Sequence, residues 1–97
     1  MEDSKIFVAL SEFYKIFADS TRLKILSFLI SGEKCVGEIS EKLGISQSAT
    51  SHQLKTLRDS TLVKAKKAGQ IVKYSIADDH IKIILQYGVE HIKEGVK

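Results

Sequence analysis

Proline and tryptophan are absent, and one cysteine, Cys35, stands alone among 97 residues. A disulfide framework within the chain is therefore excluded, and a single free thiol fits a reducing cytoplasm. No apolar run approaches the roughly 20 residues that a membrane span requires. The opening Met1-Glu2-Asp3-Ser4-Lys5 lacks a signal-peptide pattern, so no membrane partner is expected. What is present describes an ordinary soluble, helix-rich globule: 43% apolar residues and a mean hydropathy of −0.04. The length suits one domain, 1–97, with a modest core that association of two chains would reinforce.

The net charge of +3 is mild, but it is unevenly spread. Between residues 53 and 74 lie Lys55, Arg58, Lys64, Lys66, Lys67 and Lys73 against Asp59 alone, so that segment carries +5 and the remainder −2. By itself such a run is a solvated face. Beside a recognition helix it reads as a surface for phosphates.

Ile6, Leu10, Phe13, Tyr14 and Phe17 recur at helical spacing and predict a first amphipathic helix. Asp19 or Ser20 can cap a second, with a Leu23, Leu26, Ile30 stripe running to Gly32. A short third helix is expected from about residue 36 to 43, with Ile39 and Leu43 inward and Gly44 as its stop. Ser46 is a good N-cap for a fourth, over 47–58, which turns Ala49, Leu54 and Leu57 to the core. Its other side carries Gln47, Ser48, Ser51, His52 and Lys55. Two helices joined by a glycine-containing turn form a helix-turn-helix, expected over about 36–59. Its second helix presents amide and hydroxyl groups that can reach base edges in a major groove.

After Leu62 the period changes from helical to alternating. Residues 63–67 and 71–76 flank Ala68-Gly69-Gln70, a glycine-turn hairpin decorated by Lys66, Lys67 and Lys73. A basic hairpin directly after a helix-turn-helix is a wing, here about 62–76. The fold class expected is mainly α with a β-hairpin wing, a winged helix-turn-helix.

A last helix, about 78–94, carries Ile81, Ile84, Leu85, Gly88, Val89 and Ile92, more apolar positions than one small core can cover. The excess predicts a homodimer built through the first and last helices. The same helix bears Asp78, His80, His91 and Glu94, nitrogen and oxygen donors that suit zinc and also cobalt or nickel. His91 and Glu94, three apart, share a face. His80 and His91 lie ~16 Å apart along a helix, too far for one ion within one chain. An antiparallel pair of helices related by a two-fold axis brings Asp78 and His80 of one chain beside His91 and Glu94 of its partner, giving two sites per dimer. The plainer reading remains open on spacing alone: Asp78 and Asp79 as helix caps, and the others as solvated side chains.

These segments resemble the ArsR/SmtB family of metal-sensing winged-helix repressors over nearly the whole chain. Glu33-Lys34-Cys35-Val36-Gly37-Glu38-Ile39 is similar to its ELCVCDL or ELCVGDL box, and Ser46-Gln47-Ser48-Ala49-Thr50-Ser51-His52-Gln53-Leu54 to its S-x-S-x-x-S-H-x-L signature. Asp78, His80, His91 and Glu94 match the D-x-H…H-x-x-E zinc site of one branch. The resemblance implies a dimer that holds operator DNA without metal and releases it when zinc fills the site between the last helices. It further implies coupling from a liganded histidine to the backbone near residues 58–62, so that metal and DNA disfavour each other. The chain departs from the family at the thiolate site. Gly37 occupies the box position of a second cysteine, and Cys35 with Glu38 could hold an ion only weakly, an inert thiol being the expected alternative. Arsenic, lead or cadmium are accordingly not the expected main signal.

Two other classes compete. A winged-helix regulator without metal, redox-switched through Cys35, leaves the ligand spacing as coincidence. A metalloenzyme is disfavoured, because four protein ligands close the site and no general base or nucleophile pair adjoins it.

Overall fold

The chain runs α1 (Asp3–Phe17), α2 (Ser20–Ile30), β1 (Lys34–Cys35), α3 (Val36–Leu43), α4 (Gln47–Asp59), β2 (Val63–Ala68), β3 (Ile71–Ile76) and α5 (Asp79–Gly95). This computed structural model describes residues 3–95. Met1 and Glu2 of the opening segment, and the outermost ends of the expected 1–97 domain, lie outside the described residues. The architecture is the mainly helical, hairpin-bearing one expected, a winged helix-turn-helix.

Local chemistry sets the helix starts. Asp19 accepts the Arg22 N–H at 3.0 Å to begin α2, and Ser46 accepts the Ala49 N–H at 3.0 Å to begin α4. Gly44 closes α3 in the left-handed region at φ +69°. The hairpin pairs Val63 with Ile76 through Ala68 with Ile71, so Ala68 ends a strand and the turn is Gly69-Gln70 alone. Gly69, at φ +66°, takes the first central turn position, where a primed turn calls for glycine. β1 adds a third strand, pairing Lys34 with Tyr74 and Cys35 with Lys73. A two-residue strand is too short to show alternation in the sequence.

Ile25, Leu26 and Leu29 of α2, Ile39 of α3, Leu54 and Leu57 of α4, Leu62, Val63, and Ile81 and Leu85 of α5 form the core. Two expected packing faces need correction. The buried stripe of α2 is Ile25, Leu26 and Leu29; of the expected Leu23, Leu26 and Ile30, Leu26 is buried and Ile30 is half-buried against the core, while Leu23 is exposed. α2 is apolar on two sides, and Leu23 and Ile30 line an open groove shared with α1 and α5. On α4 the inward residue near the start is Thr50, while Ala49 is exposed. The Thr50 hydroxyl donates to the Ser46 carbonyl at 2.9 Å, so no polar atom is buried without a partner there.

α4 ends in a Schellman motif. The Leu62 N–H donates to the Leu57 carbonyl at 2.9 Å and the Thr61 N–H to that of Arg58 at 3.0 Å, with Leu62 and Leu57 both buried. The left-handed position is held by Thr61 at φ +62°, a β-branched residue where glycine is usual. Thr61→Gly should relieve roughly 1–2 kcal/mol of backbone strain, against about 0.5–1 kcal/mol for glycine's added freedom in the unfolded chain. The net gain, about 0–1.5 kcal/mol, predicts a melting temperature higher by up to about 12 °C in a thermal scan. A lowered midpoint would show that Thr61 does not carry this strain.

Candidate nucleic-acid interface and metal-ligating helix

The core side of α4, formed by Thr50, Leu54 and Leu57, fixes what its opposite side presents. Gln47, Ser48, Ser51, His52 and Lys55 are all exposed there. Their amide, hydroxyl and imidazole groups can donate to or accept from base edges. Lys55 donates to Asp59 one turn on at 2.9 Å, so part of its charge is already matched within the helix.

Strand register sorts the wing lysines. Residues opposite one another in a ladder share a face. Lys66 faces Lys73, which faces Cys35 on its other side, and Lys64 lies two positions along, opposite Ser75. Lys64, Lys66 and Lys73 therefore line one face, with Lys64 and Lys66 exposed and Lys73 half-buried. Lys67 pairs with Val72 on the other face, beyond Ala65–Tyr74 and Val63–Ile76. The set Lys66, Lys67 and Lys73 is thus divided between faces, and Lys64 joins the basic one. The signal for Lys64 was its two-residue spacing from Lys66. Directly opposed like charges are unfavourable, and among the described residues no ion pair within 4.0 Å involves a wing lysine. A polyanion laid along this face would remove the repulsion.

Glu38, at the start of α3, accepts the Cys35 N–H at 2.9 Å. That bond, then the Cys35 side chain, with the charges of Lys73 and Lys34 adding to them, holds its carboxyl below the usual carboxylate range. The carboxylate is thereby occupied in starting the helix, which weakens Cys35 and Glu38 as a metal-binding pair. Cys35 is a half-buried free thiol. A side chain at Gly37 would meet Gln47 Nε2 at 3.9 Å and Cys35 Sγ at 4.0 Å, so the cysteine box lies against the start of α4.

Asp78 precedes α5, and its Oδ1 accepts the N–H groups of His80 at 2.9 Å and Ile81 at 3.4 Å. The same oxygen lies 3.3 Å from His80 Nδ1. Capping and proximity to His80 thus occur together, through one carboxylate oxygen. Both side chains are exposed, as are His91 and Glu94 one turn apart near the other end of the helix. α5 is continuous between the two pairs, which keeps them apart along its axis. Among the described residues, no three histidine, cysteine, aspartate or glutamate side chains come together within one chain.

α1 has no buried residue, and Ile6, Phe7 and Val8 are more than 60% exposed. Tyr87, Val89 and Ile92 of α5 are at least half exposed. Tyr14, Phe17, Leu23, Ile84, Val89 and Ile92 line the groove between α1, α2 and α5. No described helix is long and apolar enough to cross a membrane.

Residues 19–65 match the model of the bacterial regulatory protein, arsR family. The chain is 38% identical over 86 residues to a transcriptional repressor SmtB homolog of Synechocystis, covering 89% of this chain and 65% of that one. It is 34% identical over 95 residues to a cadmium resistance transcriptional regulatory protein CadC homolog of Staphylococcus aureus, covering 97% and 73%. In fold it is similar to the homodimeric winged helix-turn-helix domain of Mb0332 from Mycobacterium bovis. That likeness has a TM-score of 0.90 and 24% identity, and it covers 97% of this chain and 87% of that one. On these matches the chain belongs to the ArsR/SmtB family of bacterial winged-helix transcriptional regulators.

Proposed function

We propose that the chain is a metal-responsive transcriptional repressor, not an enzyme, which binds operator DNA as a homodimer and releases it when zinc binds between the two α5 helices. The observation that carries the DNA half is the exposed polar side of α4 accompanied by the opposed Lys66 and Lys73 of the wing. Gln47, Ser48, Ser51 and His52 read bases, while Lys64, Lys66 and Lys73 meet phosphates, with Lys67 reaching from the far side of the hairpin and Lys55 adding what charge Asp59 leaves. The exposed apolar residues of α1 and α5 are the dimer surface, a reading supported by the homodimeric Mycobacterium bovis domain.

The donor set fits zinc. Asp78 and His80 are exposed and 3.3 Å apart, and His91 and Glu94 stand ready on the same helix. Zinc there would supply a dication that cross-links the two α5 helices without redox chemistry, and cobalt or nickel would suit the same nitrogen and oxygen donors. The Staphylococcus aureus relative is named for cadmium resistance, but this chain has one cysteine in all, which points away from a thiolate-seeking ion. With Cys35 alone, a redox switch would require a disulfide between chains or a modified thiol.

Salt dependence tests the DNA reading. Lys64→Ala and Lys66→Ala should weaken operator and random duplexes alike, and each should flatten the log–log salt slope by about 0.9. Gln47→Ala should instead lose affinity for operator selectively. An unchanged slope in both lysine variants would exclude this face of the wing as a phosphate contact. Equal losses on both duplexes for Gln47→Ala would remove base readout by that residue.

A further inference from the structure

Arg22 lies in the first turn of α2, where the helix dipole disfavours a positive side chain. Its side chain nevertheless holds two partners, each on another helix. Nε donates to Gln53 Oε1 at 2.9 Å, and Nη1 donates to the Ile16 carbonyl at 3.4 Å. Ile16 is in the last turn of α1, where carbonyls lack helical partners and favour a cation. Gln53 is the middle residue of α4, next to His52 but half-buried where His52 is exposed. One half-buried guanidinium thus spans three helices. A lysine has one donor nitrogen and cannot hold both acceptors in a fixed fork.

The core contacts of α4 through Thr50, Leu54 and Leu57 fix where the helix lies, but apolar packing is non-directional. The guanidinium fork is directional, and it ties the roll of α4 to α1. α1 is also the helix with no buried residue, whose Ile6, Phe7 and Val8 face outward. We infer that Arg22 is a positioning residue: by joining the end of α1 to Gln53, it sets the recognition helix relative to the dimer surface and so fixes the half-site spacing the dimer accepts. This rests on the reading of the chain as a dimeric operator-binding protein.

The test uses a duplex that the wild-type protein selects from a randomised library, the same duplex with its half-sites moved by one base pair, and a random duplex. Arg22→Lys keeps the charge and Gln53→Met keeps the length, yet each breaks the fork, from opposite sides. If one fails to fold by circular dichroism, the other still decides. Each should lose about tenfold on the selected duplex, the scale of one charge-assisted hydrogen bond, and stay within about twofold of wild type on random DNA. The penalty for shifted spacing should shrink in both, and the double variant should lose no more than either single one. Variants that keep the wild-type preference and spacing penalty would overturn the positioning role, as would losses that add in the double variant or fall equally on random DNA. A wild-type protein that selects no duplex, or that sediments as a monomer, would instead overturn the reading beneath it.

Discussion

Leu54→Ala is expected to cost about 2–5 kcal/mol of folding free energy and to abolish specific DNA binding at temperatures where the wild type still binds. Leu54 is wholly buried, in a core that also draws residues from α2, α3, β2 and α5. Removing most of its side chain forfeits its transfer free energy and leaves a cavity that rigid helices close only in part. A domain of this size is held by roughly 5–15 kcal/mol, so the loss is a large share of the whole. At roughly 4–8 °C per kcal/mol, the melting temperature should fall by more than about 8 °C. Scans must be run at one protein concentration, because the proposed dimer would add a concentration-dependent increment. Ala49→Ser, five residues earlier on the same helix but exposed, serves as the control and should change stability by no more than about 0.5 kcal/mol. Similar small shifts in both variants would mean that α4 is not anchored through Leu54.

The contrast between Ala49 and Thr50 shows where the sequence was readable and where it was not. Capping residues Asp19, Ser46 and Gly44, with the helical spacing of leucines and isoleucines, located the helices because each acts on its own neighbours. The hairpin was legible for the same reason, since Gly69 satisfies a purely local turn requirement. Polarity misled at Thr50. Its hydroxyl is satisfied by Ser46 one turn back, so it behaves as an apolar residue of the 50, 54, 57 stripe, while Ala49 exposes its methyl group at little cost. Lys64 was counted in the basic segment but not with the wing lysines, because face assignment in a hairpin depends on register, and a slip of one residue exchanges the faces. The link between Arg22 and Gln53 spans 31 positions and leaves no periodic trace at all. Asp78 and His80 were legible as neighbours because they are two residues apart at a helix start. Their relation to His91 and Glu94 depends on a second chain.

That dependence leads to the other large effect. The double variants Asp78→Ala/His80→Ala and His91→Ala/Glu94→Ala should each lose tight zinc binding as homodimers, since every site then retains only two of four protein ligands. Mixed and allowed to exchange subunits, they should regain about one tight site per heterodimer. A two-fold axis then places all four native ligands in one site and none in the other. The continuous α5 separates the two histidines by ~16 Å along its axis, while the 3.3 Å approach makes Asp78 and His80 one unit. Equilibrium dialysis of purified heterodimers, differently tagged on the two chains, reads the stoichiometry directly. DNA release should return in part, because one restored site supplies only one of two symmetric couplings. Rescue of zinc binding without any release would separate binding from sensing. Verified heterodimers that bind no more zinc than either parent would overturn the shared site itself, and with it the proposal that α5 is where metal and DNA binding are linked.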